Sequence, residues 1–303
     1  MDHSEKKSKL PGDDTRENIS AKRLSYGEFT VQYWAWKNTH SDYVGLCHYR
    51  RYLAFDGFNT RRNDYNMLLA SAINKRSIRK FGLVDEKRMR QMISNSDALV
   101  PEPACVSDII FPPNYPKKHV DNVRDLWDNQ CGVIIEEDTI PYMLQLIDDL
   151  APEYSRSARE YLNGKEHRGF NCYVMRWELF DRMCRLQFPI MAQMEKHYAG
   201  RAYKDNRTRI PGYVGELLFG IFFYHLSVYE HYTIKSAPIV LFQFTERGRG
   251  KNMINQAKLR IKRGYDLLGL FLFPLNTRRR RVVKKLIYTL LGKSSMIERE
   301  RKL

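Results

Sequence analysis

Asp42-Tyr43-Val44-Gly45-Leu46-Cys47-His48-Tyr49-Arg50-Arg51 is the stretch that decides how this chain is read. Tyr43 to Cys47 is an apolar run of strand length, and it terminates in an imidazole, a phenol and two guanidiniums. In open α/β sheets, ligands sit beyond the carboxyl ends of the strands. Guanidinium forks placed there suit diphosphate oxygens, because they donate paired hydrogen bonds in a fixed geometry. The alternative is a solvated strand end with His48 as a satisfied partner.

The elements on either side support an alternating α/β order. Ser25-Tyr26-Gly27-Glu28 has the S-x-x-E spacing of a capping box, and Tyr26, Phe29, Tyr33 and Trp36 follow as a helical apolar stripe. Residues 60–95 are basic and mixed, and read as helical. Ala98-Leu99-Val100 makes a brief strand closed by Pro101 and Pro103, and residues 112–116 (PPNYP) read as a loop. Ile140 to Leu150 has helical spacing, ended by Pro152. Asn171 to Met175 reads as a buried strand, Glu178 to Tyr198 as a helix, Tyr213 to Leu226 as an apolar helix, and Ile239 to Phe242 as a final strand.

Two further stretches can carry chemistry. In Arg209-Ile210-Pro211-Gly212-Tyr213-Val214-Gly215-Glu216, Pro211 and Gly212 mark a turn into the apolar helix. Glu216 is then a lone carboxylate in a first turn, where the helix N-terminus favours the ionised form. A carboxylate in a cleft is what a group transferase needs to take a proton from an acceptor hydroxyl. The alternative is an ion pair with Arg207 or Arg209. Arg168-Gly169-Phe170-Asn171 opens the next strand, where Asn171 can bond sugar hydroxyls or satisfy turn backbone.

Composition bounds the rest. The 303 residues carry a formal charge of +16, with 43% hydrophobic and 28% charged residues, as expected of a folded globular chain. Residues 246–303 hold 17 Lys+Arg against 4 Asp+Glu, so that end carries +13 and the remaining body +3. The five cysteines are widely spaced without a CxxC, which speaks against a zinc site or a disulfide framework and fits a reducing, cytoplasmic setting. There is no leader-like apolar stretch and no window of roughly 18 apolar residues that would span a bilayer. P-loop, GxGxxG, GxSxG and HExxH motifs are absent. So is the DxD spacing that holds manganese or magnesium in many nucleotide-sugar enzymes. Glu136-Glu137-Asp138 is the nearest acidic cluster, and reads as a solvated helix start.

Five blocks, DDTRENIS (13–20), YGEFTVQYWAWKN (26–38), DYVGLCHYRRYL (42–53), FNCYVMRWELFD (170–181) and RIPGYVGELL (209–218), stand in the order seen in one bacterial family. The chain resembles that family, which is associated with capsular and exopolysaccharide synthesis and has long been described as a domain of unknown function. Its members look like GT-A glycosyltransferases. The resemblance covers roughly 13–245 and implies an α/β, GT-A-like (Rossmann-like) sheet flanked by helices. It also implies transfer of a sugar from a nucleotide-diphosphate donor to a lipid-linked or growing surface-polysaccharide acceptor. Matched positions are Asn18, Ser20, Glu28, Trp34, Trp36, Lys37, Asn38, Asp42, His48, Tyr49, Arg50, Arg51, Asn171, Gly212 and Glu216. From these, His48 and Glu216 are the catalytic candidates. Arg50, Arg51, Tyr49, Asp42, Asn171 and Asn18 are the donor-binding candidates, and Glu28, Trp34, Trp36, Lys37 and Asn38 the structural ones. The HYRR strand looks like the counterpart of the DxD strand, so Arg50 and Arg51 would neutralise the leaving diphosphate in place of a metal. A manganese or magnesium ion is compatible with the family but lacks its motif here. Family members usually open with a further strand, and a more usual Asn-x-x-Tyr-Cys-Glu stands where this chain has RLSYGE. A leader over 1–12 and a catalytic domain over 13–245 without that first strand are therefore expected.

The tail over 246–303 is expected to associate with membranes. Arg278, Arg279, Arg280 and Arg281 precede Val282, Val283, Leu286, Ile287, Leu290 and Leu291, with Lys284 and Lys285 on the polar side. This is a basic amphipathic helix suited to an anionic lipid surface. The expected position is peripheral, on the inner face of the cytoplasmic membrane. Two competing readings are a non-catalytic member of a polysaccharide assembly complex and a nucleic-acid binder using residues 278–285. The nearly neutral body speaks against nucleic acid.

Overall fold

At His48–Arg51 the chain leaves one β-sheet and enters another, and the rest of the architecture positions that crossing. The structure is a computed structural model that describes residues 11–111, 120–203, 206–244, 268–269, 271–275, 277–283 and 286. The strands are β1 (Tyr43–Leu46), β2 (Arg51–Leu53), β3 (Leu68–Ala72), β4 (Ala98–Pro101), β5 (Ala104–Cys105), β6 (Glu166–His167), β7 (Tyr173–Arg176), β8 (Ile234–Ala237) and β9 (Ile239–Phe244). One sheet has the order β1-β7-β4-β8, a second β2-β9-β3, and β5 pairs with β6. Only β4 with β8 and β3 with β9 run parallel; the other pairs are antiparallel. The result is a mixed α/β arrangement.

The helices are α1 (Arg23–Tyr26), α2 (Phe29–Asn38), α3 (Lys75–Lys80), α4 (Glu86–Ile93), α5 (Val123–Asp128), α6 (Thr139–Leu150), α7 (Ser155–Asn163), α8 (Trp177–His197) and α9 (Ile210–Tyr229). The apolar sequence of α9 has the expected consequence. Leu217, Leu218, Phe219, Ile221, Phe222 and Phe223 are all buried, in one cluster with the inner faces of α6, α7 and α8. Each such side chain contributes about 1.5–3 kcal/mol by leaving water. A smaller cluster of Leu53, Phe55, Met67, Leu99, Cys172, Ala237 and Ile239 joins the two large sheets.

Three expectations are corrected. The capping box does not form: Gly27, at φ 59°, ends α1, and α2 starts afresh after Glu28 with no side-chain cap. Ser25 Oγ instead donates to the Lys22 carbonyl. Residues 60–95 hold β3 as well as α3 and α4, because Leu68, Leu69 and Ala70 pair with β9 rather than extending a helix. Helix α9 begins at Ile210 with Pro211 already in its first turn, so Glu216 lies in the second turn, away from the terminal dipole. Residues 1–10, the loop at 112–116, Lys284, Lys285, and Ile287, Leu290 and Leu291 of the expected amphipathic helix lie outside the described residues. Among the described residues no helix is long and apolar enough to cross a membrane.

Candidate active site

His48 and Arg51 bond each other's backbone, His48 N to Arg51 O at 3.1 Å and Arg51 N to His48 O at 3.2 Å. Tyr49 and Arg50 therefore form the tip of a tight turn between β1 and β2, and β9 fixes that tip because Phe242 N donates to Arg50 O at 2.8 Å. The turn projects its four side chains into a cleft of about 630 Å³. Glu28, Asp64, Phe170, Arg209, Tyr213 and Glu216 line it as well.

Two glycines allow the opposite wall to close in. A Cβ on Gly27 would lie 2.6 Å from the Arg209 guanidinium, and one on Gly212 would lie 3.0 Å from the Ser25 carbonyl. The start of α9 thus packs directly on residues 25–27, bringing Glu28 and Arg209 to 3.8 Å of each other beside Glu216. A buried relay of amides holds the same helix from behind. Asn171 Nδ2 donates to Gln32 Oε1 (3.2 Å), Gln32 Nε2 to Gln187 Oε1 (2.6 Å), and Gln187 Nε2 to the Gly215 carbonyl (2.8 Å). Phe170 and Asn171 both adopt positive φ, at 73° and 39°. This backbone is costly for residues with a Cβ. It sets the Phe170 ring under the Arg51 guanidinium, 4.7 Å from its centroid, and brings the Phe170 backbone into a hydrogen bond with Glu216.

The electrostatics follow from this enclosure. Glu216 is half-buried, and loss of water raises its pKa to about 7. The Glu28 carboxylate pushes in the same direction, while Arg51, Arg209 and the Phe170 hydrogen bond oppose it. His48 is lowered to about 4, first by burial and then by Arg51, Arg50 and Arg209, so it is neutral at neutral pH. The Nε atoms of Arg50, Arg51 and Arg209 and Nδ1 of His48 are buried without a hydrogen-bond partner among the described residues. Unsatisfied buried donors are costly, and three guanidinium Nε atoms beside one cleft suit an acceptor-rich anion.

The remaining candidates separate from this group. Asp42 is exposed at the far end of β1, where its carbonyl accepts from Trp177 N at 3.0 Å, and it does not line the cleft. Asn18 closes a local turn, its Oδ1 accepting from Ser20 N and Oγ. Asn171 lies in the amide relay, beneath the cleft rather than in it. Trp34 Nε1 donates to the Thr15 carbonyl, Trp36 Nε1 to Asp181, and Asn38 Nδ2 to the Glu17 and Trp34 carbonyls. Lys37 lies over the Trp36 ring at 3.9 Å and 3.8 Å from Glu17. These four residues of α2 pin residues 15–17 and α8 in place. Arg207 pairs with Glu136 at 3.0 Å rather than with Glu216, and Asp138 accepts from Tyr198 at 2.7 Å and sits 2.8 Å from His197 Nε2.

Sequence reading missed Glu28 and Arg209 as cleft residues. The spacing from Ser25 predicts a capping role for Glu28, whereas Gly27 ends α1 between them. The sequence offers Arg209 only as an ion-pair partner for Glu216. Among the described residues no group of three or more His, Cys, Asp or Glu is placed to hold a metal ion.

Residues 1–227 match the profile of a domain of unknown function, DUF4422. The chain belongs to the DUF4422 family. No curated protein matches it. Among solved structures, the apo structure of WbbM, described as a bifunctional glycosyltransferase, matches with a TM-score of 0.67 and 26% identity. The match covers 77% of this chain and 39% of that one, so this DUF4422 chain spans well under half the length of the protein it resembles. With the family match, that likeness makes the fold glycosyltransferase-like.

Proposed function

We propose that the cleft binds a nucleotide-diphosphate sugar and that the chain transfers its sugar to a hydroxyl of a lipid-linked or growing surface polysaccharide. The observation that carries this reading is the set of buried nitrogens without a partner among the described residues, the Nε donors of Arg50, Arg51 and Arg209 with Nδ1 of His48 beside them, next to the Glu216 carboxylate. Arg50 and Arg51 bond the diphosphate and stabilise the charge that grows on it as the glycosidic bond breaks. Tyr49, 60% exposed at the tip of the turn, offers its ring to the nucleoside or sugar.

The acceptor oxygen forms a bond to the anomeric carbon, the diphosphate oxygen leaves with the bonding pair, and Glu216 takes the acceptor proton. A carboxylate with a pKa near 7 suits that role, since it is basic enough to accept a proton yet substantially ionised at neutral pH. His48, being neutral, acts as a hydrogen-bonding group rather than a cation. The Arg50, Arg51 and Arg209 guanidiniums line the cleft and meet the diphosphate charge.

The test is transfer and hydrolysis of a panel of nucleotide sugars by the wild type and by Glu216→Gln. The variant should lose turnover about 1,000-fold while binding donor normally. Equal loss of donor binding and of folding would make Glu216 a structural residue.

A further inference from the structure

The four-arginine run divides in the structure. Arg278, Arg279 and Arg281 are exposed, whereas Arg280 is 7% exposed and turned inward. Its Nη2 donates to the Asp108 carbonyl at 3.0 Å, its Nη1 to the Phe273 carbonyl at 3.3 Å, and its Nε lies 3.7 Å from the Asp108 carboxylate. Arg280 therefore does not face outward as the sequence implied; it fastens the segment to the body. Thr277 shapes the approach, its Oγ1 donating to the Pro274 carbonyl and accepting from Arg280 N.

Fastened this way, the segment presents Leu268 (59% exposed), Phe271 (83%) and Leu272 (49%) to solvent along with the three exposed arginines. Exposed phenylalanine and leucine side by side are unusual on a solvated surface and mark a contact face. The fastening point also lies next to the cleft. Two residues beyond Asp108, Ile110 N donates to Asp64 Oδ2 at 2.9 Å, and Asp64 lines the cleft.

We propose that Leu268, Phe271, Leu272, Arg278, Arg279 and Arg281 form a surface that seats on an anionic phospholipid bilayer, with the cleft beside it. Apolar side chains enter the headgroup boundary while the guanidiniums meet lipid phosphates. A polyanion such as duplex DNA would satisfy the arginines but leave Phe271 and Leu272 without a purpose. The +13 charge of residues 246–303 has the sign this surface requires. Seating holds the chain peripherally at the inner face of the membrane. That it brings a lipid-borne acceptor to Glu216 rests on the transferase reading; the lipid contact itself does not.

The experiment is co-sedimentation of the full chain with vesicles of phosphatidylcholine alone or mixed equally with phosphatidylglycerol. Duplex DNA retention and nucleoside diphosphate binding are measured on the same samples. Wild type should partition onto the mixed vesicles only. Each guanidinium near such a surface is worth about fivefold, so Arg278→Ala/Arg279→Ala/Arg281→Ala should weaken partitioning about 100-fold. Phe271→Ser/Leu272→Ser should weaken it at least about tenfold. Both variants should keep wild-type thermal unfolding and nucleoside diphosphate binding. Partitioning equal to wild type in both variants overturns the proposal, as does DNA binding that exceeds vesicle binding and ignores the Phe271 and Leu272 changes. Vesicle binding in a chain that fails to bind nucleoside diphosphates would keep the surface and remove the transferase reading.

Discussion

Two blocks stand out equally in the sequence, Trp34–Asn38 and His48–Arg51, and the fold treats them in opposite ways. In the first, both indoles, the Asn38 amide and the Lys37 ammonium have partners within the chain, and together they tie residues 15–17 and α8 to α2. In the second, three of the four residues keep a buried nitrogen with no partner among the described residues. Both blocks carry unusual residues. What separates a structural block from a ligand-binding one is whether its polar groups are already satisfied.

Substitutions can break that contrast. Glu216→Gln is expected to have the largest effect, loss of about three orders of magnitude in turnover with donor affinity retained, read by steady-state kinetics alongside calorimetry. Arg50→Ala/Arg51→Ala should weaken nucleoside diphosphate binding about 100-fold or more with little change in melting temperature, since the Nε donors it removes have no partner among the described residues and the Arg51 contact on Phe170 is a small loss. Trp36→Ala should do the reverse. It opens the stack on Phe188 and removes the indole donor to Asp181 Oδ1, leaving Asp181 its pair with Arg185; the cost is about 2–3 kcal/mol in chemical denaturation, while the folded fraction binds as before.

The smallest effect is a pH dependence of stability. Glu216 has a folded-state pKa raised from 4.5 to about 7, so it favours the folded state fully below about 4.5 and loses that contribution as pH rises through about 7. Glu216→Gln stays neutral throughout. Its melting temperature should therefore gain on the wild type between those limits and level off above them.

How far the sequence revealed this arrangement depended on what each signal reports. Apolar periodicity located α6, α8 and α9 closely, because burial of a helical face leaves its spacing in the chain. It missed β3 and β8, short strands whose identity depends on pairing with β9 and β4, and pairing partners leave no local mark. The residues meeting in the cleft were visible as separate blocks. That Glu28 and Arg209 join them was not, because it depends on Gly27 and Gly212 letting α9 approach residues 25–27. Asp42 and Asn18 stand among the family-matched positions, but β1 and a local turn hold them away from the cleft. Asn171 was near the site for a different reason: it fixes the strained backbone that presents Phe170.

The central claim is that the orphaned arginines at the β1–β2 turn form a diphosphate site. Calorimetric titration of nucleoside diphosphates into the wild type and into Arg50→Ala/Arg51→Ala, with and without manganese, tests it most directly. Saturable binding by the wild type without added metal, abolished in a double variant that melts near the wild-type temperature, is the expected result. Binding that is equal in the two proteins would contradict it.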